Sequence, residues 1–169
     1  ALPAGALYIR RPADEELLRN LKLRHPCYVI GPHQIGKSSL RSRTQVALSA
    51  SGVRCATVDL QSLGVNAISQ SEWFEALSYE IGDRLGCGEA VLTYLHERGH
   101  GTPVQRWMGC LREVILSAVP EDLVVFIDEL QATEHLRFPP DDFLGAIRAL
   151  YNGRTDAPDL ARLTFCLIG

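Results

Sequence analysis

The sequence predicts an α/β fold, a three-layer αβα sandwich built on a mostly parallel sheet. Three observations carry that reading. Four short runs, 27–30, 54–60, 123–128 and 163–168, are apolar with little alternation, as strands covered on both faces are. Helical periodicities fill the intervals, and strands that alternate with helices wind into a parallel sheet. The chain has 169 residues, 46% of them hydrophobic, and a net charge of −3, which suits one domain with a substantial core and excludes a disordered or fibrous chain.

Taken in order, Cys27-Tyr28-Val29-Ile30 is the first strand, and the helical pattern after it, over 37–50, stops at Gly52. Arg54 to Leu60 is the second strand. A helix is expected over 71–85, where Trp73, Phe74, Leu77, Ile81 and Leu85 recur at helical spacing, Ser71 offers an N-cap and Gly86 a stop. Thr102-Pro103-Val104-Gln105 has the spacing of a capping box with Pro in the first turn, and that helix should turn Trp107, Leu111, Ile115 and Ala118 inward. Leu123 to Asp128 is the third strand. Pro139-Pro140-Asp141 opens a helix with Phe143, Leu144, Ile147, Leu150 and Tyr151 facing in and Gly153 closing it; Leu163 to Ile168 is the fourth strand. Residues 1–24 read as a segment leading into the site and 25–169 as the core. The chain starts without Met and stops abruptly, so a piece of a longer protein is expected.

Arg and Lys are dispersed, which gives no electrostatic footprint for nucleic acid or for an anionic membrane surface. No apolar run is long enough to cross a bilayer and the start does not read as a signal peptide. Five cysteines, with no Cys-x-x-Cys pair and three of them in strand-like runs, read as reduced packing residues of a cytoplasmic protein.

Between the first strand and the first long helical pattern, Gly31-Pro32-His33-Gln34-Ile35-Gly36-Lys37-Ser38 fits Gly-x-x-x-x-Gly-Lys-Ser. A polyphosphate is dense negative charge, and a Gly-rich turn running into a helix N-terminus offers it fixed N–H donors and a favourable dipole. Lys37 would neutralise the β,γ oxygens, the Ser38 hydroxyl would hold magnesium, and Ser39 would lie toward the α-phosphate. About ninety residues on, Leu123-Val124-Val125-Phe126-Ile127-Asp128-Glu129 is an apolar strand ending in two acids. Asp128 would serve the magnesium shell and Glu129 would polarise the attacking water. The strand between the two motifs, and a Glu directly after the Asp, point to the additional-strand branch of P-loop ATPases. No Asn-Lys-x-Asp guanine reader is present.

His96-Glu97-Arg98-Gly99-His100 fits the His-Glu-x-x-His zinc pattern, but Gly99, Gly101 and Pro103 should break the helix that pattern needs, so no zinc site is expected. Arg41 and Arg43 read as a solvated helix face.

The runs Tyr8-Ile9-Arg10-Arg11-Pro12, Tyr28 to Leu40, Val58-Asp59-Leu60, Pro103-Val104-Gln105-Arg106, Phe126-Ile127-Asp128-Glu129, Phe138 to Phe143 and Arg162 to Phe165 resemble the AAA-like ATPase domain of large bacterial regulators. The resemblance covers nearly the whole chain. Those regulators are STAND-type signalling proteins, often with a WD-repeat propeller after the ATPase. The resemblance implies ATP or ADP with Mg2+, a nucleotide-dependent switch with slow hydrolysis, other domains of the parent chain as partners, and self-association. It also implies that Arg11 and Pro12 lie near the adenine, and that a fifth strand beside the phosphate-loop strand, then a helical lid, follow Gly169. The chain departs from the family pattern at His33, where Arg is expected, and at Gln131-Ala132-Thr133 after the acid pair, where another acid is usual. Both positions neighbour the γ-phosphate. Two expectations therefore stand side by side, a slow ATPase and a non-hydrolysing nucleotide-binding or interaction module.

Overall fold

A computed structural model describes residues 11–32, 34–64, 68–97 and 100–169. Strands β1 (Cys27–Val29), β2 (Arg54–Asp59), β3 (Leu123–Asp128) and β4 (Leu163–Ile168) form one parallel sheet in the order β1-β4-β3-β2. The apolar runs become central strands for the reason given by their composition: all six residues of β4 and the first five of β3 are buried. The two outer strands each end one residue earlier than the runs suggested, at Val29 and Asp59.

Successive side chains of a strand point to opposite faces, and the sheet divides its core accordingly. On one face Val124, Phe126, Cys166 and Ile168 meet Leu17 and Leu21 of α1 (Pro12–Lys22) and Leu40 and Leu48 of α2 (Lys37–Ala50). On the other, Val125, Ile127, Phe165 and Leu167 meet α3 (Gln70–Leu85), α5 (Pro103–Cys110), the short α6 (Leu116–Ala118) and α7 (Asp141–Asn152). Between α3 and α5, α4 (Gly88–Glu97) buries Val91 against Gly82, where an added Cβ would lie 2.6 Å from Val91 Cγ2. The three layers are those the sequence predicts.

An aromatic cluster locks the second face. Trp73 lies edge-on to Phe74 and Phe143 at 5.1 and 5.2 Å between ring centroids, and Trp107 stands 5.4, 5.5 and 6.1 Å from Phe74, Phe143 and Phe165. These are the offset and edge-to-face separations that aromatic pairs favour.

Three details differ from the periodicity reading. The N-cap of α3 is Ser69, not Ser71: Ser69 and Glu72 close a reciprocal capping box, while the Ser71 hydroxyl donates to Glu75 and accepts from Arg106 on α5. After Cys110 a π-helical turn, Leu111–Ile115, shifts the helical phase, so that Leu116 and Val119 are buried and Ala118 is exposed. Tyr151 is 41% exposed, with the Arg154 guanidinium 4.5 Å above its ring, a stack that keeps it on the surface. Because the Ser69 box satisfies first-turn N–H groups of α3, Ser69→Ala is expected to lower stability by about 1 kcal/mol in urea titrations, and Ser71→Ala by less.

Candidate functional site

In a parallel sheet all strands end at one edge, and the loop after β1 and the acid pair after β3 therefore meet there. The loop is anchored at its start. Gly31 N–H donates to Gly169 O at 3.1 Å, extending the β1 to β4 ladder beyond the strands. A Cβ on Gly31 would fall 2.4 Å from Ile35 Cδ1, the tip of an exposed side chain that would have to turn aside, so glycine lets Ile35 fold over the start of the loop. Gln34 and Gly36 take left-handed backbone, φ +66° and +90°, and bring the chain round to the N-terminus of α2 at Lys37. Ser38 and Ser39 follow in the first turn, half-buried, and Pro32 is exposed. The Lys37 ammonium is folded back on the loop and donates to Pro32 O at 2.9 Å and to Gly31 O.

Arg11 braces this loop from outside. Its guanidinium donates to Ile35 O at 2.8 Å and reaches Gly36 O at 3.5 Å, while its own N–H donates to Asp14 Oδ2 at 2.7 Å at the start of α1. Pro12 is the first residue of that helix and is exposed.

Asp128 closes β3 and Glu129 follows in left-handed backbone, φ +57°. For a non-glycine residue that conformation is uncommon and costs energy, and such residues cluster at functional sites. Both carboxylates are engaged. Asp128 Oδ1 accepts from Glu129 N–H at 3.1 Å, and Asp128 Oδ2 from Arg41 Nε at 3.1 Å. Glu129 Oε2 accepts from Gln61 Nε2 at 3.3 Å and from Gln131 Nε2. Gln61 arrives on the short 3₁₀ turn after β2.

Arg41 corrects the solvated-face expectation. Its side chain is 19% exposed and joins α2 to the end of β3, so the first turns of α2, with Lys37 and Ser38, stand beside Asp128. The sequence reading put Arg41 on the solvated face, although its i+4 spacing from Lys37 does place both on one side of the helix. Gln61 had no signal at all, because only the tertiary fold brings the end of β2 to Glu129.

The donor set fits a magnesium polyphosphate. A left-handed glycine opens a helix N-terminus, an ammonium sits at the loop carbonyls, and a hydroxyl and a carboxylate come from neighbouring elements. A cleft of about 400 Å³ along β1, lined by Leu17, Asn20, Cys27, Tyr28 and Ile30, contains neither Lys37 nor Asp128 in its walls and is a separate feature. His33 and Tyr8 to Arg10 lie outside the described residues. So do Arg98 and Gly99; α4 ends at Glu97, and His100 lies beyond the helix that holds His96. Among the described residues no group of three or more His, Cys, Asp or Glu side chains is placed to share a metal ion. Burial pushes the Cys27 thiol up to about 11, with Glu16 adding to it, and Cys110 up to about 12; Cys166 is raised by burial as well. Thiols so placed are inert packing groups at neutral pH.

Sheet order, phosphate loop and strand-terminal acids together define a P-loop NTPase fold with β4 inserted between the loop strand and the acid strand. The sequence profile of the AAA-like domain family matches residues 2–168, and the chain belongs to that family. It is 37% identical over 165 residues, 96% of its length, to an uncharacterized WD repeat-containing protein of Synechocystis sp., and spans only 14% of that relative. The structure of the Aeropyrum pernix ORC2 protein, determined as ADPNP and ADP complexes, matches 98% of this chain and 42% of its own with a TM-score of 0.63 at 18% identity. That likeness is one of fold. Among the described residues no helix is long and apolar enough to cross a membrane.

Proposed function

We propose that this domain binds ATP and ADP as magnesium complexes in the loop Gly31 to Ser39 and acts as a nucleotide-dependent switch in a larger bacterial signalling regulator of the cytoplasm. One observation carries the reading most directly: Lys37 opens α2 inside a glycine-shaped loop, and Arg41 of the same helix is tied to Asp128. Bound phosphate would take Lys37 from two neutral carbonyls to anionic oxygens, a charge-assisted exchange that favours the ligand. Ser38 and Asp128 would hold Mg2+, which supplies charge neutralisation at the β,γ oxygens. Arg11, tied to the loop through Ile35 and Gly36, and Pro12, the next residue, are the proposed neighbours of the adenine.

Glu129 is the group proposed to polarise water. Its carboxylate already accepts from two side-chain amides, which occupy an oxygen that an attacking water would need, and that supports slow turnover. The same contacts favour the second reading, a nucleotide-binding or interaction module that does not hydrolyse. The WD repeats of the Synechocystis relative support further domains in the parent chain as the partners that read the nucleotide state.

Lys37→Ala tests the site. A charge-assisted contact is worth about 1.5–3 kcal/mol, so MgATP affinity is expected to fall at least about tenfold by calorimetry. Equal affinity in parent and variant would remove the phosphate-loop assignment. Because no guanine reader is present, MgGTP should bind the parent more weakly than MgATP in the same titration.

A further inference from the structure

We propose that Arg41 is a positioning residue for the magnesium carboxylate: it fixes Asp128 at the end of β3 and, as a resident counter-charge, limits how strongly nucleotide binding depends on the metal. The inference rests on the nucleotide-binding reading above and adds the control of its metal dependence. Arg41 lies one turn beyond Lys37 and Ser38, on the same side of α2. Its guanidinium is held at three points, by Asp128 Oδ2 at 3.1 Å, Thr57 Oγ1 at 3.2 Å and Gln45 Oε1 at 3.4 Å, and Thr57 in turn donates to Gln45 at 3.2 Å. A side chain with partners on β3, β2 and its own helix is locked rather than swinging.

The Arg41 and Asp128 side chains are 19% and 14% exposed, so solvent screens their charges weakly. With Glu129 N–H on Oδ1 and Arg41 on Oδ2, the carboxylate is oriented and part-neutralised before any cation arrives. A carboxylate has about four lone-pair sites, which leaves acceptors for water on a metal ion. Two consequences follow. Metal-free ATP, the more negative ligand, meets a site whose carboxylate is already offset, and Mg2+ gains less from Asp128 than it would from a bare carboxylate. Removal of the Arg41 charge should therefore weaken binding of metal-free ATP and strengthen the relative pull on Mg2+. A simple strut between α2 and β3 would affect both forms alike.

The test is calorimetric titration of the protein with ATP in EDTA and in excess Mg2+, comparing the ratio of the two Kd values. Arg41→Met, which keeps an unbranched apolar stem and removes the charge, is expected to raise that ratio, Kd in EDTA over Kd in Mg2+, about tenfold. Arg41→Lys, which keeps the charge, should stay within about twofold of the parent. If Arg41→Met does not fold, judged by its melting transition, Arg41→Gln takes its place with the same expected rise. A folded neutral variant with the parent's ratio overturns the proposal, and so does a Lys variant whose ratio rises as far as that of the neutral one. A parent that binds ATP in neither condition fails the nucleotide reading itself and this inference with it; a parent that binds, with neutral variants of unaltered ratio, fails this inference alone.

Discussion

Glu129→Gln is expected to leave MgATP affinity within about twofold of the parent and to reduce ATP turnover by a factor of about a hundred or more, the scale of a general base. Glu129 is asked to act on a water in the transition state, so its loss appears in kcat and not in ground-state binding. Asp128→Asn separates the two acids: it should weaken binding in Mg2+ and change binding in EDTA far less. Turnover by Glu129→Gln at the parent's rate would show that this Glu is not the water-polarising group, and the non-hydrolysing reading would gain. The assay belongs on the full parent chain, since residues contributed by other segments can complete an ATPase site.

Trp107→Ala is expected to cost about 3–5 kcal/mol in urea denaturation, the range for emptying a large aromatic from a core. Trp107 is fully buried and touches Phe74 of α3, Phe143 of α7 and Phe165 of β4, so the cavity would open where three elements meet the sheet. A typical domain has only about 5–15 kcal/mol in total, and a large share would be lost. The indole N–H of Trp107 is buried with no partner among the described residues, so Trp107→Phe should be much milder, because it removes an unmet donor together with part of the volume. A small effect of Trp107→Ala would mean that the aromatic cluster is not the keystone of the second face.

Much of this molecule is legible in its sequence because the signals are local. An unbroken apolar run such as Leu123 to Ile127 can only be a buried strand or a buried helix, and its length and β-branched content decide. The loop from Gly31 to Ser38 is a contiguous motif, and Asp128 with Glu129 follows a strand, so each half of the site could be read separately. What periodicity handled badly was phase. The π-helical turn at Leu111 to Ile115 rotates the chain after it, so Ala118 left the core and Val119 entered it. A cap is decided by one or two residues of offset, and both Ser69 and Ser71 have a carboxylate within reach, Glu72 and Glu75, which made the true N-cap ambiguous.

The partners around the acids were not legible for a different reason. Arg41, Gln61 and Gln131 earn their roles only from the sheet order, which brings α2 and the end of β2 to the end of β3. A polar residue on a helix or after a strand has the same local signature whether it faces solvent or a buried carboxylate. Arg11 is similar. Its N–H placement at the start of α1 follows from the Pro12 that comes next, but its bond to Ile35 O joins segments 24 residues apart.

The most direct test of nucleotide binding at this loop is hydrogen–deuterium exchange of the backbone amides with and without MgATP. Slowed exchange is expected over residues 34–40, where the N–H groups as far as Ser39 would face phosphate and the Leu40 N–H already donates to Gly36 O, with a smaller effect at 128–131, and both should vanish in Lys37→Ala. Unchanged exchange across 34–40 at saturating MgATP, or protection confined to another part of the chain, would contradict a phosphate site at the N-terminus of α2.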